Sequence, residues 1–346
     1  MPNQILTDAI DHLCAGENLS TEQAAAALRE IMEGRGEEVQ TAALLIALRA
    51  KGETVDEVVG LAKTMRDLSD RVDAPVEGLV DTAGTGGGPT TFNISTTAAL
   101  VTSAAGVPVA KHGNRSATSR SGSADLLEAL GVGIELSPEQ VSECIREIGF
   151  GFMFAPRHHA ATRHVVPVRK ALGVRTIFNL LGPLTNPAGA SRQLLGVSDR
   201  NCQEMMAEAL IALDCERAFV VSADDGLDEF SICSPTRVIE VTGGALTEWT
   251  VDPTEFGLAA ASIEQIAGGS PDDNAEVTRT VLAGETGPAR EVTVLNAAAA
   301  IVLGGAADDL SAGMEKATSA IDSGAASKKL EQLIDLTVRL SEQDGV

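Results

Sequence analysis

Apolar residues return at helical spacing through roughly the first seventy positions. Ile5 to Leu13 carries one apolar stripe. Ser20-Thr21-Glu22-Gln23 has the serine-to-glutamine spacing of a capping box and opens a helix over Ala24–Met32. Glu37 to Ala50 reads as an apolar helix that stops at Gly52, and a second capping box, Thr54 to Glu57, opens a helix through Leu68. Within Ala42–Leu48 the apolar residues fall on more than one face. That suits either burial inside a small helical domain or a subunit interface.

After Asp73-Ala74-Pro75, a linker by composition, the period changes. Strand-like runs at Gly78–Thr82, Val107–Ala110 and Phe150–Ala155 alternate with helices at Ser95–Ala105, Ser123–Leu130 and Ser137–Ile148. The last helix opens on Ser137-Pro138-Glu139-Gln140, an N-cap followed by proline at the first turn. This order is α/β grammar with a mostly parallel sheet. Residues 156–188 break it: basic and histidine-bearing first, with Val168–Leu172 helical, then a nearly uncharged loop-rich stretch, Asn179 to Pro187. The rhythm resumes with a strand at Gln193–Val197, a helix at Asn201–Leu213 and a strand at Ala218–Ser222. A hairpin follows, Val238–Val241 and Leu246–Val251 joined through Gly243-Gly244. From Pro271 the chain reads as helical to its end, with breaks near Gly284–Gly287 and Gly304-Gly305.

Two of the strands run into loops rich in Gly, Ser and Asn, each followed by a helix. The first is Gly84-Thr85-Gly86-Gly87-Gly88-Pro89-Thr90-Thr91-Phe92-Asn93-Ile94-Ser95-Thr96, and the second runs from Lys111-His112-Gly113-Asn114-Arg115-Ser116 to Ser121-Gly122-Ser123. Glycines let backbone approach an anion, and the helix N-termini aim N–H groups at it. The first loop is neither a Walker A loop nor a well-registered G-x-G-x-x-G. The carboxyl edge of an open α/β sheet is nevertheless where such chains bind ligands.

Charge sharpens this reading. The chain of 346 residues has a net charge of −23, which argues against a nucleic-acid-binding face. Against that background Lys111, Arg115, Arg120, Arg157, Arg163, Arg169, Lys170 and Arg175 gather around the loop segments. Aromatic content of 3%, without tyrosine, makes a base-stacking platform improbable. No stretch reaches the roughly 18 apolar residues of a membrane span, and Met1-Pro2-Asn3-Gln4 does not open a secretory signal. Five cysteines without C-x-x-C spacing fit a reducing cytoplasm, the expected location. Asp228-Glu229 follows a strand, and two adjacent carboxylates beside a phosphate cradle suit Mg²⁺, with Ser95 a further oxygen donor. His112 and His158-His159 match no zinc spacing. No nucleophile–base arrangement is recognisable. His112 stands as the one candidate proton acceptor, more simply read as a residue that holds its loop.

At these residues the chain resembles the anthranilate phosphoribosyltransferase family. The resemblance rests on Gly84-Thr85-Gly86-Gly87, Asn93 to Thr96, Lys111 to Arg115, Ser121 to Asp125, Pro167-Val168-Arg169, Asn179 to Pro187 and Asp228-Glu229. It implies a small all-helical domain, 1–72 completed by about 163–188, and a large α/β domain of 73–162 and 189–346 with a mostly parallel central sheet. It implies transfer of a 5-phosphoribosyl group from 5-phosphoribosyl 1-diphosphate to anthranilate, in a homodimer formed through the helical domain. The donor would meet Gly84, Gly87, the backbone of Gly88, Thr91, Asn93, Ile94, Ser95, Thr96, Lys111, His112, Gly113, Asn114, Arg115, Ser116, Ala117, Thr118, Ser119 and Ser123. Anthranilate would meet Gly84, Asn114 and Arg169. Two Mg²⁺ per subunit would be held by Ser95, Asp228 and Glu229. The family usually has an acidic residue and a slightly longer loop where this chain has Gly88-Pro89, so metal handling would fall more to Asp228-Glu229. A pyrimidine nucleoside phosphorylase shares the expected architecture, but its Lys-His-Ser loop is absent. A non-catalytic relative that binds nucleic acid is the alternative from another class, disfavoured by the charge.

Overall fold

The structure is a computed structural model that describes residues 1–116, 120–259 and 261–343. Four helices come first: α1 (Gln4–Cys14), α2 (Thr21–Met32), α3 (Glu38–Lys51) and α4 (Val55–Asp67). Both expected capping boxes mark helix starts. Ser20 Oγ accepts from the Gln23 N–H at 3.3 Å, and Gln23 Oε1 accepts from the Ser20 N–H at 2.9 Å. At α4 only the return half forms: Glu57 accepts from the Thr54 N–H at 2.9 Å while the Thr54 hydroxyl stays unpaired. Glu57 is fully buried because it also caps the Leu19 N–H and pairs with Lys51 at 3.1 Å.

The strands are β1 (Val80–Gly84), β2 (Val109–Gly113), β3 (Phe150–Phe154), β4 (Arg192–Gly196), β5 (Arg217–Ala223), β6 (Thr236–Thr242) and β7 (Ala245–Val251). They form one sheet in the order β3-β2-β1-β4-β5-β6-β7, parallel through β5 and antiparallel from β5 to β7. Between the strands lie α5 (Ile94–Ala104), α6 (Ser123–Leu130) and α7 (Pro138–Ile148), then the short α8 (Ala155–His158), α9 (Val166–Leu172) and α10 (Phe178–Leu181), then α11 (Gln203–Ala212). The chain closes with α12 (Pro271–Leu282), α13 (Pro288–Leu303), α14 (Leu310–Asp322) and α15 (Ala325–Gln343). The break between α14 and α15, at Ser323-Gly324, was not expected from the pattern.

β1 and β2 each run further along the chain than their apolar runs suggest. Ladder partners, which a local pattern does not register, carry them on: Gly84 pairs with Gly196, and Gly113 with Phe154. Lys111 and His112 therefore lie within a strand and not in a loop.

Each face of the sheet is covered. One core packs β-strand residues such as Val80, Val109 and Phe219 against α5 and α13; α5 is made of small residues and approaches closely, with Ala98, Ala99 and Leu100 fully buried. The other joins Leu195 and Val220 of the sheet to α11, to Val165, Ile177 and Leu181, and to the apolar stripes of α1 to α4. The chain builds outward from β1 to β3 on one side and from β4 on the other, so the topological switch falls between β1 and β4. No helix among the described residues is long and apolar enough to cross a membrane.

Candidate active site

The switch point is built around a pair of glycines in register. Gly84 ends β1 and Gly196 ends β4, side by side. A Cβ on Gly84 would overlap Asp228 Oδ2, and one on Gly196 would overlap the Asp228 carbonyl oxygen. The missing side chains admit the Asp228 segment to the strand ends. Asp228 Oδ2 then accepts from the Gly86 N–H at 2.8 Å. Gly87, at φ 98°, leaves no room for a Cβ because Arg175 Nη1 occupies that space, and a Cβ at Gly88 would overlap the Gly226 carbonyl.

Asp228 and Glu229 lie partly buried beside one another. Loss of solvation pushes both carboxyls above their usual range, and for Glu229 the neighbouring Asp228 adds to the rise. Lys111 on β2 is 1% exposed; its Nζ donates to the Thr82 carbonyl at 2.5 Å and lies 3.5 Å from Ser95 Oγ. Burial lowers it to about 8, opposed by Asp81 and Glu229. Lys111, expected in a loop, lies instead within β2, with its ammonium on Thr82 and beside Ser95.

At the N-terminus of α5 the first-turn N–H groups of Ser95 and Thr96 have no hydrogen-bond partner among the described residues, and the buried Thr96 hydroxyl has none either. Such a terminus accepts an anion. Asn93 is used differently: its side chain takes the Ser121 carbonyl (3.1 Å), the Ser121 hydroxyl (3.0 Å) and the Asn274 amide (2.9 Å), tying the two loops to α12. Ile94 is fully buried, and Thr91 bridges to Ala267. In the second loop the Arg115 guanidinium is spent on Asp125 (3.0 Å) and Glu128 and sits over the Phe154 ring at 5.5 Å. The Asn114 carbonyl accepts from Ser123 Oγ at 3.3 Å, packed against Gly113, and Ser116 donates its N–H to Asp125 at 3.1 Å. Ala117, Thr118 and Ser119 lie outside the described residues.

His112 Nδ1 faces the Gly182 carbonyl at 3.2 Å, and its ring lies 5.1 Å from that of His159, which faces the Thr185 carbonyl at 3.1 Å. Burial holds His112 well below the usual imidazole range and His159 at about 4, so both are neutral. His112 is thus a poor base, and its buried Nε2 has no partner among the described residues. Arg169, half-buried on α9, has no carboxylate partner among the described residues; its guanidinium lies 5.2 Å over the Phe178 ring, and desolvation alone lowers its pKa. A half-buried positive group left this way is complementary to an anion supplied from outside.

Sequence reasoning missed Gly196, Ser198 and the role of Arg175, counted only as one of several basic residues. Gly196 could have been found, since it closes its strand as Gly84 closes β1. The contacts of the other two depend on packing between segments distant in sequence.

Fold and site together define a helical bundle joined to an α/β domain whose glycine loop and carboxylate pair meet at the sheet's switch point, and family likeness gives the class as a glycosyl transferase. Two family models match: "Glycosyl transferase family, helical bundle domain" over residues 7–69, and "Glycosyl transferase family, a/b domain" over residues 76–327. The chain is 53% identical over 339 residues to anthranilate phosphoribosyltransferase of Rubrobacter xylanophilus, covering 97% of this chain and 99% of that one. It superposes on the crystal structure of the Thermus thermophilus enzyme of that name with a TM-score of 0.90, at 44% identity, covering 95% and 99% of the two chains. Anthranilate phosphoribosyltransferase from Saccharomyces cerevisiae, in complex with PRPP and Mg, matches with a TM-score of 0.88 at 29% identity over 97% and 98%. The chain belongs to the anthranilate phosphoribosyltransferase family.

Proposed function

We propose that this chain moves the 5-phosphoribosyl group of 5-phosphoribosyl 1-diphosphate onto the amine of anthranilate, releasing diphosphate and giving N-(5-phosphoribosyl)anthranilate. This is the second step of tryptophan synthesis from chorismate. The carrying observation is Arg169, a half-buried guanidinium without a carboxylate partner among the described residues, in a chain that supplies two N–H-rich loops for a phosphorylated donor.

The donor's phosphates sit against the free N–H groups at the start of α5 and along the loop that begins at Gly84. Gly88 contributes only backbone. Arg169 holds the anthranilate carboxylate by its fork, with Gly84 and Asn114 beside it, so the amine faces the ribose carbon. The C1′–O bond to diphosphate breaks as negative charge builds on the leaving group, and the amine nitrogen bonds C1′ from the opposite face. A proton then leaves the nitrogen to water. An aryl amine is weakly basic, so no strong base is required, and neutral His112 orients the acceptor at most.

The metal site fits the residues present. Asp228, Glu229 and Ser95 are oxygen donors, and the two carboxyls, both raised by burial and Glu229 further by Asp228, form a place short of positive charge. Mg²⁺, two per subunit, would be held there and would neutralise charge on the departing diphosphate. The yeast relative solved with PRPP and Mg supports the use of Mg²⁺. The working unit is a homodimer in the cytoplasm, formed through the helical residues 1–72 and 163–188 against an α/β part of 73–162 and 189–346. Exposed Ile5, Val39 and Ile46 on α1 and α3 support that surface.

The test is loss of anthranilate fluorescence. Consumption that needs both 5-phosphoribosyl 1-diphosphate and Mg²⁺ is the expected result. No consumption, with phosphate-dependent cleavage of a pyrimidine nucleoside instead, would overturn the reading.

A further inference from the structure

The loop after β1 is held from behind by two side chains to which the reaction above assigns no role. Arg175, at the exposed rim of the segment between α9 and α10, donates Nη1 to the Gly86 carbonyl at 2.9 Å and Nη2 to the Thr85 carbonyl at 3.5 Å. Ser198, just past β4, donates Oγ to the same Gly86 carbonyl at 2.7 Å and its N–H to Thr85 Oγ1 at 3.2 Å. Arg49 of α3 donates to the Arg175 carbonyl at 2.9 Å and roots the clamp in the helical bundle.

Peptide planarity turns these bonds into a statement about the next residues. In a trans peptide the C=O of one residue and the N–H of the next point in opposite directions, and no cis bond is present among the described residues. Holding the Thr85 carbonyl toward Arg175 sends the Gly86 N–H the other way, and there it meets Asp228 Oδ2 at 2.8 Å. Holding the Gly86 carbonyl toward Arg175 and Ser198 sends the Gly87 N–H to the side away from the clamp, and that N–H has no partner among the described residues. Both N–H groups are turned from one guanidinium: the first is taken by the Asp228 carboxylate, and the Gly87 N–H is left to receive an anion. The positive φ of Gly86 (64°) and Gly87 (98°) permits it.

We propose that Arg175, backed by Ser198, is a positioning residue for the phosphoribosyl donor: its fork fixes two loop carbonyls, which seats the Gly86 N–H on Asp228 and aims the Gly87 N–H at the diphosphate. The inference rests on the transferase reading above and deepens it. Arg175 acts through the loop without touching the diphosphate. A lysine, one compact charge without a fork, cannot span both carbonyls.

Calorimetric titration with inorganic diphosphate and Mg²⁺ tests this, beside steady-state KM values for both substrates and thermal melting. Arg175→Ala weakens diphosphate binding and raises donor KM by about 10- to 100-fold, the loss of one aligned bond to a charged ligand. Anthranilate KM and the melting midpoint stay close to wild type. Ser198→Ala loses a few-fold, and Arg175→Lys recovers only part of the loss. Unchanged diphosphate affinity in Arg175→Ala overturns the proposal. So does full recovery in Arg175→Lys, which would mean a direct ion pair, and so does an equal loss for both substrates with a lowered melting point. Wild type that binds no diphosphate at all would instead refute the transferase reading on which the inference stands.

Discussion

Arg169→Ala separates binding of the acceptor from upkeep of the fold. The wild-type guanidinium is half-buried, faces no carboxylate among the described residues, and gains only the Phe178 ring at 5.2 Å. Truncating one partner of a desolvated charge pair costs about 2–5 kcal/mol. Partial exposure puts this case at the lower end, about 2–3 kcal/mol, or about 30- to 150-fold in kcat/KM for anthranilate. The fold should scarcely notice. Loss of a cation–π contact worth about 0.5–1 kcal/mol is offset by removal of a desolvated charge whose pKa burial already depresses. The assay is anthranilate fluorescence loss across a grid of both substrates, with a melting curve for each variant. The expected outcome is a large rise in anthranilate KM, an unchanged donor KM and a melting midpoint near wild type. Arg169→Lys should restore only part of the activity, because one point charge replaces a planar fork. An anthranilate KM within twofold of wild type would refute the reasoning, and so would a parallel rise in donor KM.

Three other outcomes rest on the same structure. His159 is buried neutral with its pKa at about 4, whereas an unfolded imidazole takes its proton near 6.5. The unfolded state therefore binds more protons between those values, and stability falls as pH drops from about 6.5 toward 4, by about 3 kcal/mol from this residue. Urea midpoints measured across that range should show a shallower decline in His159→Gln. Gly88→Asp, which would restore the family's usual acidic residue, forces a Cβ into the Gly226 carbonyl; weaker donor binding and a lower melting point are expected, not a simple shift in Mg²⁺ optimum. Glu57→Ala removes the only carboxylate on Lys51 among the described residues, leaving it Asn18 and the Gly52 carbonyl, and strands two backbone N–H groups in the helical bundle; it should cost about 3 kcal/mol in urea denaturation, with KM values unaltered in whatever fraction remains folded.

Much of the architecture was legible because it is set by interactions only a few residues long. Ser20 with Gln23 and Ser137 with Gln140 cap their helices in the folded chain as spacing predicts. Gly52, Gly131 and Gly149 end theirs, and Gly243-Gly244 turns the hairpin. Residue type and position after a strand also marked Asp228 and Glu229, whereas Arg169 was singled out from its basic neighbours only by the family resemblance. What a side chain does once the chain is packed was decided elsewhere. Lys111 looked like loop charge and became a strand residue with its ammonium on Thr82, because ladder pairing with β3 extends β2 past its apolar run. Arg115 read only as a cation beside a loop, and it pairs with Asp125 and Glu128, ten and thirteen residues on. Arg175 looked like one cation among several and holds a carbonyl 89 residues away. Local sequence determines backbone conformation and the inventory of charges, because those depend on neighbours along the chain. Partners, burial and hence pKa depend on which distant segments the sheet order brings together, and that is settled only when the whole core closes.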